Sequence, residues 1–352
     1  MTKGTDCNYE SLPLRSDTIT ARVVQSRLLS VDADHPEVGR KENLDHLLDM
    51  IDMTESFGKA DLLVFHEFPL AAMDFGWTRE QALRVAIEVP GEETEAIAQR
   101  AKKYNCYIHF GGYGKIKEWP GHFMNLGIII GPDGNIVQRR WKTRNMSGMG
   151  FSTTIYDVLD QYVEMYGWDA VFPVARTDIG NIGIIPETLE PELARAYAIK
   201  GAEIMIRYMT AGAGTCLTHP IAFMGGSTEH TFRTEFQGMC ISSDFFGIFV
   251  NNSLSPLGNR EWDFNLGAGH SAILANNGQL LMEAASSEEA MVTAMLPLAE
   301  YRRTHTIPNF PKELYMKLYD DYVPRYPANL FRDELPNSIM DAIKQGSKLA
   351  RW

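Results

Sequence analysis

Long apolar runs are missing from this chain. Stretches such as Leu126–Ile130 fall far short of the roughly 20 residues that a membrane-spanning helix requires, so no membrane association is expected. Cysteine is scarce. The four cysteines (Cys7, Cys106, Cys216 and Cys240) are scattered over 352 residues without metal-ligand spacing. That excludes a disulfide-stapled scaffold and points to a reduced, cytoplasmic setting. The opening residues 1–17 lack the apolar core of a signal peptide, which fits the same expectation. Basic charge is outnumbered: 33 Lys and Arg against 45 Asp and Glu give a net charge of -12. An acidic chain repels phosphate backbones, so nucleic acid is not an expected partner. None of the nine histidines stands at the i, i+4 spacing of a helix-borne zinc pair. No metal and no cofactor is therefore expected, although His66 beside Glu67 is the most suggestive pair and His270 reads as structural.

What remains is ordinary globular composition, 45% hydrophobic and 22% charged. The length suits one large domain or two modest ones. Residues 1–18 read as a polar arm. A strand pattern runs over Ala21–Ser26, followed by an amphipathic helix over Lys41–Phe57. Leu62–Phe65 has the form of a buried strand. A helix over Glu93–Tyr104 and a strand from Tyr107 to Gly111 come next. Two hairpins share one grammar: Leu126–Ile130, the turn Gly131–Gly134 and Asn135–Arg140; then Ala272–Ala275, Asn276–Gly278 and Gln279–Met282. Between them lie a strand over Ile182–Ile185, a helix over Pro191–Lys200, a strand over Ile204–Ile206, a helix near Glu229–Phe236 and a strand over Phe246–Asn251. Alternating strands and helices with inserted hairpins predict an α/β fold with mixed sheets. No linker divides residues 19–302, which form one expected domain. From residue 303 to 352 the text turns rich in Pro and Tyr and reads as an extended tail, packed on the core or on a neighbouring subunit.

Several residues could carry chemistry. Glu67 directly follows a buried strand, where apolar surroundings raise a carboxyl pKa and suit it to general-base work; the plainer reading is a salt-bridged carboxylate. Lys142, in Arg139-Arg140-Trp141-Lys142, emerges from a hairpin strand and could donate to an oxyanion; the plainer reading is a solvated basic edge. Glu164 stands in the aromatic-rich text Tyr162–Trp168, read as a loop, and carries no signal alone. Gly180–Arg195 reads as strand, sharp turn and helix opened by Pro191, a turn that can display a nucleophile above a sheet.

Taken in order, these pieces resemble the nitrilase, or carbon–nitrogen hydrolase, superfamily over about residues 20–303. Glu67 in Val64-Phe65-His66-Glu67 matches the family's glutamate base, and Lys142 its catalytic lysine after the Gly131–Gly134 hairpin. Glu164 is a match to the second glutamate. Pro191–Arg195 with Ala198–Ile204 follows the text after the nucleophile, and Gly269–Ile273 with Asn251-Asn252 follows the late strands. The Gly-His-Ser-Ala-Ile text and the long tail look most like the aliphatic amidase and formamidase branch. The resemblance implies a four-layer α-β-β-α sandwich, a small amide or nitrile as substrate, and a homo-oligomer with its tail wrapped on neighbours.

One departure stands out. The family nucleophile is a cysteine six positions before the proline of Pro-Glu, which here is Ile185, with Glu187 at the acidic position two further on. Counting forward from Ile182-Gly183 instead puts the nucleophile at Glu187. The counts differ by two, and neither yields a cysteine. The backward count is preferred because Pro191–Arg195 is the stronger anchor. Cys216 and Thr188 are weaker alternatives. Three readings follow: a hydrolase of small C–N compounds with Glu67 as base, Lys142 as oxyanion stabiliser and water as attacker; a silent member that binds ligand or assembles; or an inactive altered form of an amidase.

Overall fold

The computed structural model describes residues 2–3, 9–71, 74, 76–145, 150–187, 190–210, 228–253 and 269–352. In chain order these form β1 (Ile19–Gln25), α1 (Pro36–Thr54), β2 (Leu62–Phe65), α2 (Arg79–Val85), α3 (Glu92–Tyr104), β3 (Tyr107–Lys115), β4 (Met124–Ile130), β5 (Ile136–Trp141) and α4 (Leu159–Tyr166). There follow β6 (Ala175–Thr177), β7 (Gly180–Ile184), α5 (Pro191–Ile199), β8 (Ile204–Tyr208), α6 (Thr228–Ser243), β9 (Phe246–Val250), β10 (Ala272–Leu274), β11 (Leu280–Glu283), β12 (Ala290–Leu296), α7 (Leu298–Thr304), α8 (Lys312–Asp321) and α9 (Ile339–Leu349).

Two mixed sheets result. The first has the order β12-β1-β2-β3-β4-β5, with the short strand Ile87–Glu88 paired beside β3. The second runs β11-β10-β9-β8-β7-β6. Parallel pairs occupy the middle of each sheet: β1 with β2 and β2 with β3, then β7 with β8 and β8 with β9. Hairpins close the flanks, as the turn residues at 131–134 and 276–278 predict. In the first turn Gly131 accepts from the Gly134 amide at 2.8 Å, and Gly134 takes φ +82°, a conformation glycine adopts without steric cost.

Strand alternation sorts the core into layers. Leu63 and Phe65 of β2 face α1 and α3, packing with Leu47, Ile51, Ile97 and Ala101. Leu62 and Val64, their neighbours, face the second sheet and meet Ile182, Ile184, Ile204 and Ile206. On the far side of the second sheet, Met205 and Phe249 pack with Leu193 and Tyr197 of α5 and Phe236 of α6. The layers are therefore helices, sheet, sheet, helices, as expected. Among the described residues no helix is long and apolar enough to cross a membrane.

The tail differs from its extended reading. It holds α8 and α9, and α9 begins at an N-cap, Ser338, whose hydroxyl accepts from the Asp341 amide. Its middle is tied to the same chain's body: Asn329 N–H donates to Tyr156 O at 2.8 Å, and Arg79 Nε donates to Pro336 O at 2.8 Å. Tyr and Pro are frequent in the text, but Lys312–Asp321 and Ile339–Leu349 contain no proline, so nothing within either stretch breaks a helix.

Candidate active site

Glu67 lies one residue past His66 at the carboxyl end of β2, buried between the sheets. Its carboxylate accepts a hydrogen bond from the Asn125 side-chain amide of β4. The Asn125 carbonyl oxygen in turn accepts from the Tyr208 hydroxyl at 3.3 Å. Tyr208 ends β8 and lies across the first sheet, where Gly111 and Gly127 leave it room. A Cβ on Gly111 would come within 2.6 Å of the ring, and one on Gly127 within 2.7 Å. Two glycines in the first sheet thus let a tyrosine of the second reach the asparagine that holds Glu67.

The backbone at Glu67 is clamped from the other side. His66 Nδ1–H donates to the Glu67 carbonyl oxygen, since a carbonyl can only accept. That tautomer leaves Nε2 to accept from the Ser26 hydroxyl at 2.9 Å. Burial lowers the His66 pKa to about 4, so the ring is neutral. Thr210 Oγ1 donates to the same Glu67 carbonyl at 3.2 Å. Phe68 then turns the chain with φ +63° and donates its amide to Gly111 O at 3.0 Å. His66, the suggestive neighbour of the sequence, is accounted for by this clamp.

Lys142 follows β5 directly, its amide donating to Asn125 O at 3.0 Å. Burial raises the Glu67 pKa, against the opposing pull of the Lys142 charge and of hydrogen bonds from the Asn125 side chain and the Thr210 backbone. Burial also keeps the Tyr208 hydroxyl protonated, with the Glu67 charge adding to that effect. A carboxyl made more basic beside a cation is equipped to take a proton while the cation receives developing negative charge.

Glu187 is also brought near Lys142, but it is occupied. Both its oxygens accept from Arg140 Nη2, at 2.9 and 3.0 Å, and Thr143 donates through its amide and through Oγ1, the latter at 2.7 Å. Arg140 also donates to the Tyr197 hydroxyl at 2.6 Å, and Arg207 Nη2 donates to the Glu187 carbonyl at 2.8 Å. Burial opposes the charge on Glu187, but Arg140, Thr143 and Lys142 outweigh it and hold the pKa below the usual value. A carboxylate so engaged is an ion-pair partner.

Two sequence-derived positions stand elsewhere. Ile185 is fully buried, yet it packs with Leu193, Ala194 and Tyr197 in the helix-facing layer, whereas Ile184 beside it faces the first sheet. The position counted back from Pro191 therefore points away from the Glu67–Asn125–Tyr208 side of the sheet. Glu164 is exposed on α4, not on a loop. Leu159, Tyr162, Val163 and Tyr166 form that helix's inner stripe against Trp141 and its neighbours, which leaves Glu164 outward. Cys216 and Thr188 lie outside the described residues.

Residues the sequence reading passed over are Asn125, Tyr208, Arg140, Thr143 and Ser26, the partner of His66. A signal existed for Asn125, a lone polar side chain in the otherwise apolar Met124–Ile130 run. Beyond Lys142, Thr143 and Arg144 help wall an apolar cavity of about 360 Å³ with Leu159, Phe172 and Leu193. Among the described residues no group of three or more His, Cys, Asp or Glu side chains is arranged to hold a metal ion.

Residues 21–306 match the family model described as carbon-nitrogen hydrolase. A probable nitrilase of Schizosaccharomyces pombe is 25% identical over 169 residues, 47% of this chain and 57% of its own length. A formamidase of Bacillus thuringiensis is 27% identical over 186 residues, 49% of each chain. The chain spans about half the length of the curated relatives it matches. Among solved structures, a carbon-nitrogen hydrolase from Helicobacter pylori superposes with a TM-score of 0.66 at 20% identity, covering 87% of this chain and 100% of that one. An amidase of the nitrilase superfamily from Nesterenkonia gives 0.59 at 14% identity, with 85% and 97% covered.

Proposed function

Because the chain belongs to the carbon–nitrogen hydrolase family, we propose that its Glu67–Lys142 pocket takes a small amide, nitrile or related C–N compound and hydrolyses it with water as the attacking group. The observation that carries this reading is the buried Glu67 carboxylate, held by Asn125, made more basic by burial and set beside the Lys142 ammonium. For an amide, Glu67 takes a proton from water as the water oxygen bonds to the carbonyl carbon. Lys142 stabilises the resulting oxyanion. Glu67 then returns the proton to the nitrogen as the C–N bond breaks, giving a carboxylic acid and ammonia or an amine. This route invokes no acyl-enzyme, since neither count of the turn puts a cysteine at the nucleophile position.

A second reading is favoured by the state of Glu187 and Ile185. The first is locked in ion pairing and the second faces the helices, so the nucleophile turn offers no attacking group at either position. A pocket in that condition binds an amide and releases it unchanged. The chain works as a homo-oligomer in both readings, and the wholly exposed α8 supports that assembly.

Ammonia release from formamide, short aliphatic amides and nitriles separates the two. Hydrolysis predicts release by the native chain that disappears in Lys142→Ala and in Glu67→Gln. Binding of an amide by calorimetry with no ammonia released would instead establish the silent pocket.

A further inference from the structure

The tail builds a cavity whose lining includes neither Glu67 nor Lys142. Its volume is about 420 Å³, within the roughly 300–1,000 Å³ of small-molecule sites. One wall comes from the body, with Arg144, Tyr156 and Asp157; the other comes from the tail, with Arg325, Tyr326 and Phe331. The family match ends at residue 306, so the second wall lies wholly outside it.

This wall is constructed rather than loosely laid. Phe331 N–H donates to Asp157 O at 3.2 Å, and the Asp160 amide donates to Asn329 Oδ1 at 2.9 Å. The Tyr156 hydroxyl donates to Tyr326 O at 3.3 Å. The chain end returns to brace it, with Arg351 N–H donating to Arg325 O at 2.8 Å and Trp352 Nε1 to Val323 O at 3.0 Å. Bonds on both sides therefore fix the two walls relative to each other.

The lining is aromatic with two guanidinium groups. Arg144 is paired with Glu190. Arg325 lies over the rings of Tyr326 and Trp352, at 5.6 and 5.7 Å, and among the described residues no carboxylate forms an ion pair with it. An arginine held against aromatic faces keeps its fork free for a carboxylate. The aromatic rings offer faces for a flat apolar body. A doubly charged phosphate suits the site less, because Arg144 is already paired with Glu190 and Asp157 lines the same cavity.

We propose that this tail-walled cavity binds a small aromatic carboxylate, its ring among Tyr156, Tyr326 and Phe331 and its carboxylate on Arg325. The site does not depend on turnover at Glu67. Calorimetric titration of the full chain with 3-phenylpropionate tests it, with the neutral 3-phenylpropionamide as comparison. The expected result is one site per chain, at least tenfold weaker for the amide. Arg325→Gln and Tyr326→Ala, each checked for native circular dichroism, weaken the carboxylate at least tenfold, while Lys142→Ala leaves it unchanged. Absence of binding, equal affinity for acid and amide, unchanged affinity in Arg325→Gln, or loss of binding in Lys142→Ala would each overturn the proposal. The last outcome would move the ligand to the Glu67 pocket.

Discussion

Tyr208 and Glu67 share no hydrogen bond, yet one depends on the other through Asn125, which donates to the carboxylate and accepts from the tyrosine hydroxyl at 3.3 Å. Removing the hydroxyl in Tyr208→Phe leaves the buried Asn125 oxygen short of a donor, at a cost of about 1–3 kcal/mol. Gly127→Ala acts on the same link from below, since its Cβ would lie 2.7 Å from the Tyr208 ring and the ring must move. Overpacking of that kind costs about 1–3 kcal/mol. Urea midpoints check both variants: each should fall below the native chain's, and a native midpoint in Tyr208→Phe would sever the proposed link.

The same chain of contacts marks where sequence reading stops. Strands such as Leu62–Phe65 and Ile204–Ile206 are legible because buried parallel strands need unbroken apolar text, and both hairpins because their turns need glycine. Strand β12 is not legible: Ala290–Leu296 is a half-exposed edge strand whose Met and Thr residues break any clean alternation. Helix α1 starts at Pro36, five residues before the apolar spacing becomes visible. Glu67 and Lys142 stand out by position after their strands. What Glu67 leans on does not, because Asn125 and Tyr208 are 83 residues apart and meet only when the sheets stack. The facing of Ile185 is fixed by the phase of β7 against β8, which turns on a single residue.

The Arg140–Glu187 pair carries a distinct signature. Both side chains are buried, so deleting one strands the other as an uncompensated charge. Arg140→Met is expected to cost about 3–5 kcal/mol, and the Arg140→Met/Glu187→Leu double variant less than the sum of its singles. The pH dependence follows from the lowered Glu187 pKa. Its stabilisation is present above the unfolded value of 4.5 and is lost as pH falls through the lower folded value. A double-mutant cycle by urea unfolding at neutral pH measures the coupling; additive costs would show that the pair contributes nothing.

Asp157 behaves in the opposite sense. It is buried, and burial raises its pKa to about 6 although the Thr154 amide and hydroxyl both donate to it. Its contribution is full below the unfolded value of 3.8 and is lost as pH rises through about 6. Asp157→Asn keeps an oxygen for Thr154 and removes the titration. At pH 7.5 the variant should be more stable than the native chain by about 2–3 kcal/mol, from about 1.4 kcal/mol per pKa unit, and the gap should narrow toward pH 5. A gap that does not change with pH would reject the assignment.

Placing a thiol at position 185 tests the facing of β7. Ile185→Cys puts sulfur among Leu193, Ala194 and Tyr197, behind the second sheet. Burial raises a thiol pKa there, as it does for Cys240 in the same layer. The variant should resist iodoacetamide until unfolded, lose about 1–2 kcal/mol for the smaller side chain, and release ammonia no faster than the native chain. Rapid alkylation together with new amide turnover would show that position 185 reaches the pocket after all.

Helix α8 poses a question of stability that its own chain does not answer. Ten residues are too few for a helix to persist alone in water, and none of its side chains is buried. Leu314, Met316 and Leu318 are 74%, 51% and 67% exposed, and Tyr315 and Tyr319 lie open beside them. An apolar surface of that kind marks a contact site, and a second copy of the chain is the partner consistent with the expected homo-oligomer. Leu314→Glu/Leu318→Glu should lower the number of subunits per particle, read from the light-scattering mass divided by the chain mass, and truncation after residue 302 should do the same. If both forms keep the native subunit number, assembly runs through other surfaces and α8 must be stabilised in another way.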